Sequence, residues 1–209
     1  TIKKKNSERW LLICKLVWCK KKNFCAYFFL AFILITCENE TWPKQTTYVK
    51  LQYPEATYKK NESNCAYSFE ISKLAKIKFI KNCSASIEYP HLKATIYITY
   101  RPVENNLDEI LAEVEKLTFE HTIKADAINA LPYENLEKRV FGKLYNIEGN
   151  VATNIQFRAT DSVNHVLSGA LYFYTRPNYD SIVPAIKYVE KDITHLIETL
   201  EWKKQKWTI

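Results

Sequence analysis

A layered α/β/α sandwich, with a mostly antiparallel sheet flanked by two main helices, is the fold class that the sequence predicts. Three observations carry it. Leu107, Ile110, Leu111, Val114, Leu117 and His121 recur at helical spacing, as do Ile182, Ile186, Val189, Ile193, Leu196, Ile197 and Leu200. Ala94, Ile96 and Ile98 alternate with Thr95, Tyr97 and Thr99, the two-residue period of a half-buried strand. Short polar links join the later alternating runs, which makes them an antiparallel meander.

The elements follow in order. Tyr48–Tyr53 reads as a first strand stopped by Pro54, and 55–64 as a polar loop. Ala66–Ile71 and Ala75–Ile80 read as strands on either side of a turn. After Pro90 comes the strand Ala94–Tyr100. Asn106 can cap the first helix, where Asp108 and Glu109 suit the positive end of its dipole. Lys138–Ile147 is apolar on both faces, with Val140 and Leu144 on one and Phe141, Tyr145 and Ile147 on the other. Glu148-Gly149-Asn150 turns the chain into Val151–Thr160, and Asp161–Asn164 turns it into His165–Tyr174. Asp180 or Ser181 caps a second helix that runs to about Trp202. This mostly antiparallel order argues against a doubly wound nucleotide-binding fold.

Ahead of the domain, Lys20–Lys22 precede the apolar run Phe24–Thr36, which ends at Cys37. A basic start and a short apolar stretch are the pattern of an export signal. By subtraction the run has 36 − 23 = 13 residues, against the roughly 20 that span a bilayer. A retained anchor or a core helix are the alternatives. Leu34-Ile35-Thr36-Cys37 resembles a bacterial lipobox, in which the cysteine is acylated and becomes the mature N-terminus. The resulting division is a signal at 1–36, a tether at 37–47, one domain at 48–203 and a tail at 204–209.

The division accounts for the charge. Residues 1–36 hold eight basic groups against Glu8, 8 − 1 = +7, which is the whole net charge of the chain. The remainder has 30 − 8 = 22 basic and 23 − 1 = 22 acidic groups. A neutral domain gives no electrostatic case for binding nucleic acid. Beyond Cys37 only Cys65 and Cys83 remain. In an exported domain these are most simply a disulfide, closing a loop of about 18 residues worth roughly 3 kcal/mol. Two free buried thiols are the alternative. No second Cys or His pair stands at metal-ligand spacing. The sequons at Asn39, Asn61 and Asn82 are chance matches if the lipobox is real.

Catalytic signatures are missing: there is no phosphate-cradling glycine loop, no Gly-x-Ser-x-Gly elbow and no His-Glu-x-x-His motif. His91 follows a strand-ending proline, His165 lies by a turn near Asp161, and His195 sits beside the stripe of the second helix. His121, with Asp126 nearby, is the candidate general base, and a core or helix-end histidine is the alternative reading. Asn154, Gln156 and Arg158 form one strand face, read as solvated, or as a polar pocket or protein contact. Tyr172 and Tyr174 share a strand face and precede Arg176 and Tyr179, residue types favoured at binding hot spots.

Further segments carry a family resemblance. They include Cys65-Ala66-Tyr67-Ser68-Phe69-Glu70, Ile87-Glu88-Tyr89-Pro90, Gly142-Lys143-Leu144-Tyr145-Asn146-Ile147-Glu148-Gly149-Asn150, Gly169-Ala170-Leu171-Tyr172-Phe173 and Ile197-Glu198-Thr199-Leu200-Glu201-Trp202. In this order, from Cys37 to Trp202, they resemble the gliding-motility lipoprotein GldD family of Bacteroidetes. The resemblance implies a non-enzymatic envelope lipoprotein of the gliding and type IX secretion machinery, lipid-anchored and facing the periplasm. It implies lipidation (palmitate) at Cys37, pairing of Cys65 with Cys83, no cofactor, and other envelope proteins as partners. The topology it implies is similar to PsbP/Mog1-like sandwiches. An envelope hydrolase using His121 and Asp126, or a small-ligand-binding lipoprotein, are the rival functions.

Overall fold

The computed structural model describes residues 53–120, 124–175 and 178–203. Its centre is a seven-stranded sheet in the order β4-β5-β6-β10-β9-β8-β7, with every neighbouring pair antiparallel. These strands are β4 Lys76–Phe79, β5 Ala85–Tyr89, β6 Ala94–Pro102, β7 Ala127–Asn135, β8 Val140–Glu148, β9 Thr153–Thr160 and β10 His165–Phe173. Two small ladders flank it. One joins β1 Tyr58–Lys60 to β3 Glu70–Ser72, and the other joins β2 Tyr67–Ser68 to β11 Glu201–Trp202. The helices are α1 Leu107–Glu120 and α2 Tyr179–Glu198.

The alternation in β6 decides which face meets which helix. Ala94, Ile96, Ile98 and Tyr100 join the main core, together with Ile155, Phe157, Leu167 and Leu171 and with Val189, Ile193 and Leu196 of α2. Each fully buried aliphatic side chain contributes about 1.5–3 kcal/mol. The opposite face, with Arg101, Lys143 and Tyr145, meets α1 through Glu113 and Glu115. On that face Tyr145, Ile147 and Val151 form a separate small core. β8 is therefore apolar on both faces because it has a hydrophobic cluster on each side. Phe157 reaches across its cross-strand partner Gly169, where an added Cβ would lie 2.3 Å from the Phe157 ring. A glycine is needed there for space, since its φ is ordinary.

Several elements differ from the sequence reading. The first strand expected at 48–53 lies outside the described residues except for Tyr53, which is not in a strand. The expected loop 55–64 contains β1, an edge strand whose two lysines face solvent. The runs at 66–71 and 75–80 do not pair with each other, because β3 takes β1 and β4 takes β5. The strands β5 and β7 carried too little signal. β7 is largely exposed and holds Pro132, features of an edge strand.

Helix α2 starts earlier than expected, because Asn150 Oδ1 accepts the Tyr179 N–H at 2.9 Å and so supplies a distant cap. It also stops earlier. Thr199 Oγ1 donates to the His195 carbonyl at 2.7 Å and accepts the Glu70 N–H at 3.0 Å, after which Glu201 and Trp202 turn away to pair with β2.

Cys65 and Cys83 form a disulfide with a Cα–Cα distance of 5.5 Å. It joins the start of β2 to the turn between β4 and β5. That turn holds Asn82 and Cys83 at φ of 57° and 56°, in the left-handed region that non-glycine residues avoid. The Tyr67 hydroxyl donates to the Cys83 carbonyl there. Asn61, of the second sequon, is buried, and its Oδ1 accepts the Phe69 N–H at 3.0 Å.

The turn before β10 is organised by Asp161. Its Oδ1 accepts the N–H groups of Val163 (3.0 Å), Asn164 (2.7 Å) and His165 (2.8 Å). His165 stacks on Trp202 with centroids 5.2 Å apart, and its Nδ1 is 2.8 Å from the Tyr100 hydroxyl. Burial pushes the Asp161 carboxyl up, but the three N–H donors outweigh it and hold it below the usual aspartate range. For His165 burial disfavours the charged ring and outweighs the attraction of Asp161, so its pKa is lowered.

Two outcomes follow. Gly169→Ala should cost about 1–3 kcal/mol by overpacking against Phe157, read as a lower urea midpoint with an unchanged slope. An unchanged midpoint would mean that the ring swings aside freely. The signs at the turn also fix a pH response. A His with a lowered folded pKa contributes stability fully above its ordinary value of about 6.5, and this is lost as pH falls below it. Asp161 contributes above the ordinary aspartate value and loses that contribution as pH falls through its lower folded value. Between about pH 7 and 5 the His165 contribution should therefore fall, so on acidification the urea midpoint of the unmodified chain should shift downward relative to that of His165→Gln; an equal pH slope in the two proteins contradicts the assignment.

Candidate functional site

The candidate surface lies on the α1 face of the sheet. Tyr97 of β6 and Tyr172 of β10 meet edge to face at 5.6 Å, and the Tyr97 and Tyr174 hydroxyls hydrogen-bond to each other. The antiparallel register pairs Tyr172 with Thr95 and Ala170 with Tyr97, which sets the two rings diagonally on one face. Tyr174 is 59% exposed, Leu117 46% and Tyr97 42%. Between them opens a cavity of about 340 Å³ with Thr99, Gln156 and Ser168 on its floor and Val114 and Leu117 of α1 on its wall. Arg101 closes one side through two bonds to Glu113, of 2.5 and 3.0 Å. Exposed tyrosines beside a partly polar recess suit recognition of another surface.

The expected surface residues do not all gather there. Tyr179 packs against the main core on the α2 face instead, because it begins the helix that covers that face. Arg176 lies outside the described residues. The face of Asn154, Gln156 and Arg158 is covered rather than solvated. Asn154 and Gln156 are buried, and the Asn154 amide donates to the carbonyls of Ile147 and Gly149, pinning the β8–β9 turn.

The proposed base His121 lies outside the described residues. Asp126 donates its N–H to the Glu148 carbonyl, and its carboxylate would lie 2.9 Å from a Cβ added to Gly149 (φ 109°). His91 is exposed. His195 Nε2 is 2.8 Å from Glu70 and its ring stacks on Tyr58 at 3.6 Å. Among the described residues no group of three or more His, Cys, Asp or Glu is placed to hold a metal ion. No described helix is long and apolar enough to cross a membrane.

A second cluster escaped the sequence reading. Asp192 of α2 is 3% exposed, accepting the Tyr58 hydroxyl at 2.9 Å and the Tyr89 hydroxyl at 3.0 Å. Burial raises its carboxyl above the usual range, although both tyrosines, His195 and Ser72 pull the other way. Its ionisation therefore opposes folding, an effect that is absent below the ordinary aspartate pKa and grows as pH rises through the folded one. The signal was available: Asp192 stands three residues after Val189 and beside Ile193, on the apolar stripe itself.

The family model described as gliding motility lipoprotein GldD matches residues 38–202. No curated protein matches the chain. A match from the residue after Cys37 to the end of β11 takes in every described strand and both helices, and the chain belongs to the gliding motility lipoprotein GldD family.

Proposed function

We propose that the chain is a non-catalytic envelope lipoprotein of the gliding and type IX secretion machinery. Residues 1–36 act as the export signal, Cys37 carries the lipid, 37–47 form the tether, and the domain at 48–203 faces the periplasm, followed by the tail 204–209. The observation that supports this most is the family match beginning at residue 38, next to the cysteine that ends the apolar run. From Cys37 to Tyr53 is 53 − 37 = 16 residues, which reach at most about 55 Å when extended. A domain on so short a leash meets its partners near the membrane, and the Tyr97, Tyr172 and Tyr174 surface is the one that we assign to them.

Metabolic labelling with a palmitate analogue should be lost in Cys37→Ala; labelling that survives sinks the lipid assignment. Tyr172→Asp combined with Tyr174→Asp should abolish cross-linking to envelope partners and gliding, while the domain keeps its circular dichroism. His121→Ala should leave both intact. Loss of gliding in a stably folded His121→Ala protein favours a hydrolase, and unchanged cross-links in the tyrosine variant remove the surface from consideration.

A further inference from the structure

A cleft on the other side of the domain is built unlike the aromatic surface. Its inner end is a cavity of about 300 Å³ walled by Tyr53, Leu74, Tyr89, Leu92 and Tyr188, with the exposed His91 at its border. An adjoining cavity of about 400 Å³ shares Tyr53 and Tyr188 and extends to Lys187, Lys191 and Glu55. The volumes are at the low end of those that hold small molecules, and an apolar body with few polar groups is the usual lining. Tyr53 stacks on Tyr188 at 4.7 Å, where the two cavities meet.

Two observations select the ligand chemistry. The Tyr188 hydroxyl is buried without a hydrogen-bond partner, an unfavourable state that an incoming acceptor would relieve. The accessible charges at the outer end are the ammonium groups of Lys187 and Lys191, one turn apart on α2, against Glu55 alone. Asp192 also borders this end, but it is buried and its two oxygens accept from Tyr58 and Tyr89. We propose that the cleft binds a small anionic amphiphile, with a ring or short acyl body among the tyrosines and leucines and a carboxylate-like head between the Tyr188 hydroxyl and Lys187 and Lys191. This site is independent of the partner surface, which lies on the opposite face of the sheet.

The test is calorimetric titration of the full chain in lipid nanodiscs with 2-naphthoate, using empty nanodiscs as the baseline. One saturable site is expected. Leu74→Trp, at a residue 39% exposed, should fill the inner end and weaken binding by about tenfold or more. Lys187→Glu with Lys191→Glu, both on the solvent side, should weaken 2-naphthoate by a similar factor and leave neutral 2-naphthalenemethanol within about twofold. Absence of saturable binding to the unmodified chain overturns the proposal. So does binding that both variants leave unchanged, or a neutral probe that binds as tightly as the anionic one. Partner cross-linking and gliding report separately on the lipoprotein reading, so failure of either can be told from failure of the other.

Discussion

A single carboxylate on the second helix gathers the N-terminal part of the domain. Tyr58 and Tyr89 stand 134 and 103 residues before Asp192, and both donate to it. Burying a carboxylate costs several kcal/mol unless it is well paired. The tyrosine hydroxyls offset that cost only when β1, β5 and α2 are all in place. A three-residue ladder such as β1–β3 could not persist by itself. The region is held in part by a polar contact of long sequence separation, which exists only with α2 in place.

The sheet between the helices has two unlike faces. On the α2 side, isoleucine, leucine and phenylalanine interdigitate with a helix that buries Ile186, Val189, Ile193, Leu196 and Ile197. On the α1 side, strand residues such as Thr99, Gln156 and Arg158 are polar, and the helix buries only Ile110 and Thr118. Apolar area supplies most of the free energy of folding, so α1 is the more weakly held layer. The exposed tyrosines Tyr97 and Tyr174 sit beside that layer.

Much of this was legible in the sequence. Both helices, the two-faced β8 and the β8–β9–β10 meander follow from periods of 3.6 and 2. Where the reading failed, the missing information was tertiary. β7 has exposed residues and a proline, so nothing local marks it; its partner β8 does. The end of α2 depends on Glu70 reaching Thr199, and its start on Asn150, neither of which a local window contains. Gln156 looks like a surface residue until α1 stands over it, and Asn154 until its amide folds back on the β8–β9 turn. Of the candidate sites, the Tyr172–Tyr174 pair was visible as an aromatic strand face. The Asp192 cluster was visible only as one acidic residue on an apolar stripe, and its tyrosines come from strands that the reading missed or left unpaired with the helix.

The disulfide has a mechanical meaning. A domain pulled by its N-terminal end passes the force first to β1, held by a ladder of three residues, and then to Cys65. From there the covalent bond carries it directly to Cys83, at the mouth of β5, and the stretch from β2 to β4 is bypassed. The pull therefore enters the seven-stranded sheet at a paired strand rather than peeling away the small ladders in turn. The covalent loop thus makes the seven-stranded sheet, and not the small ladders, the part of the domain that takes the load.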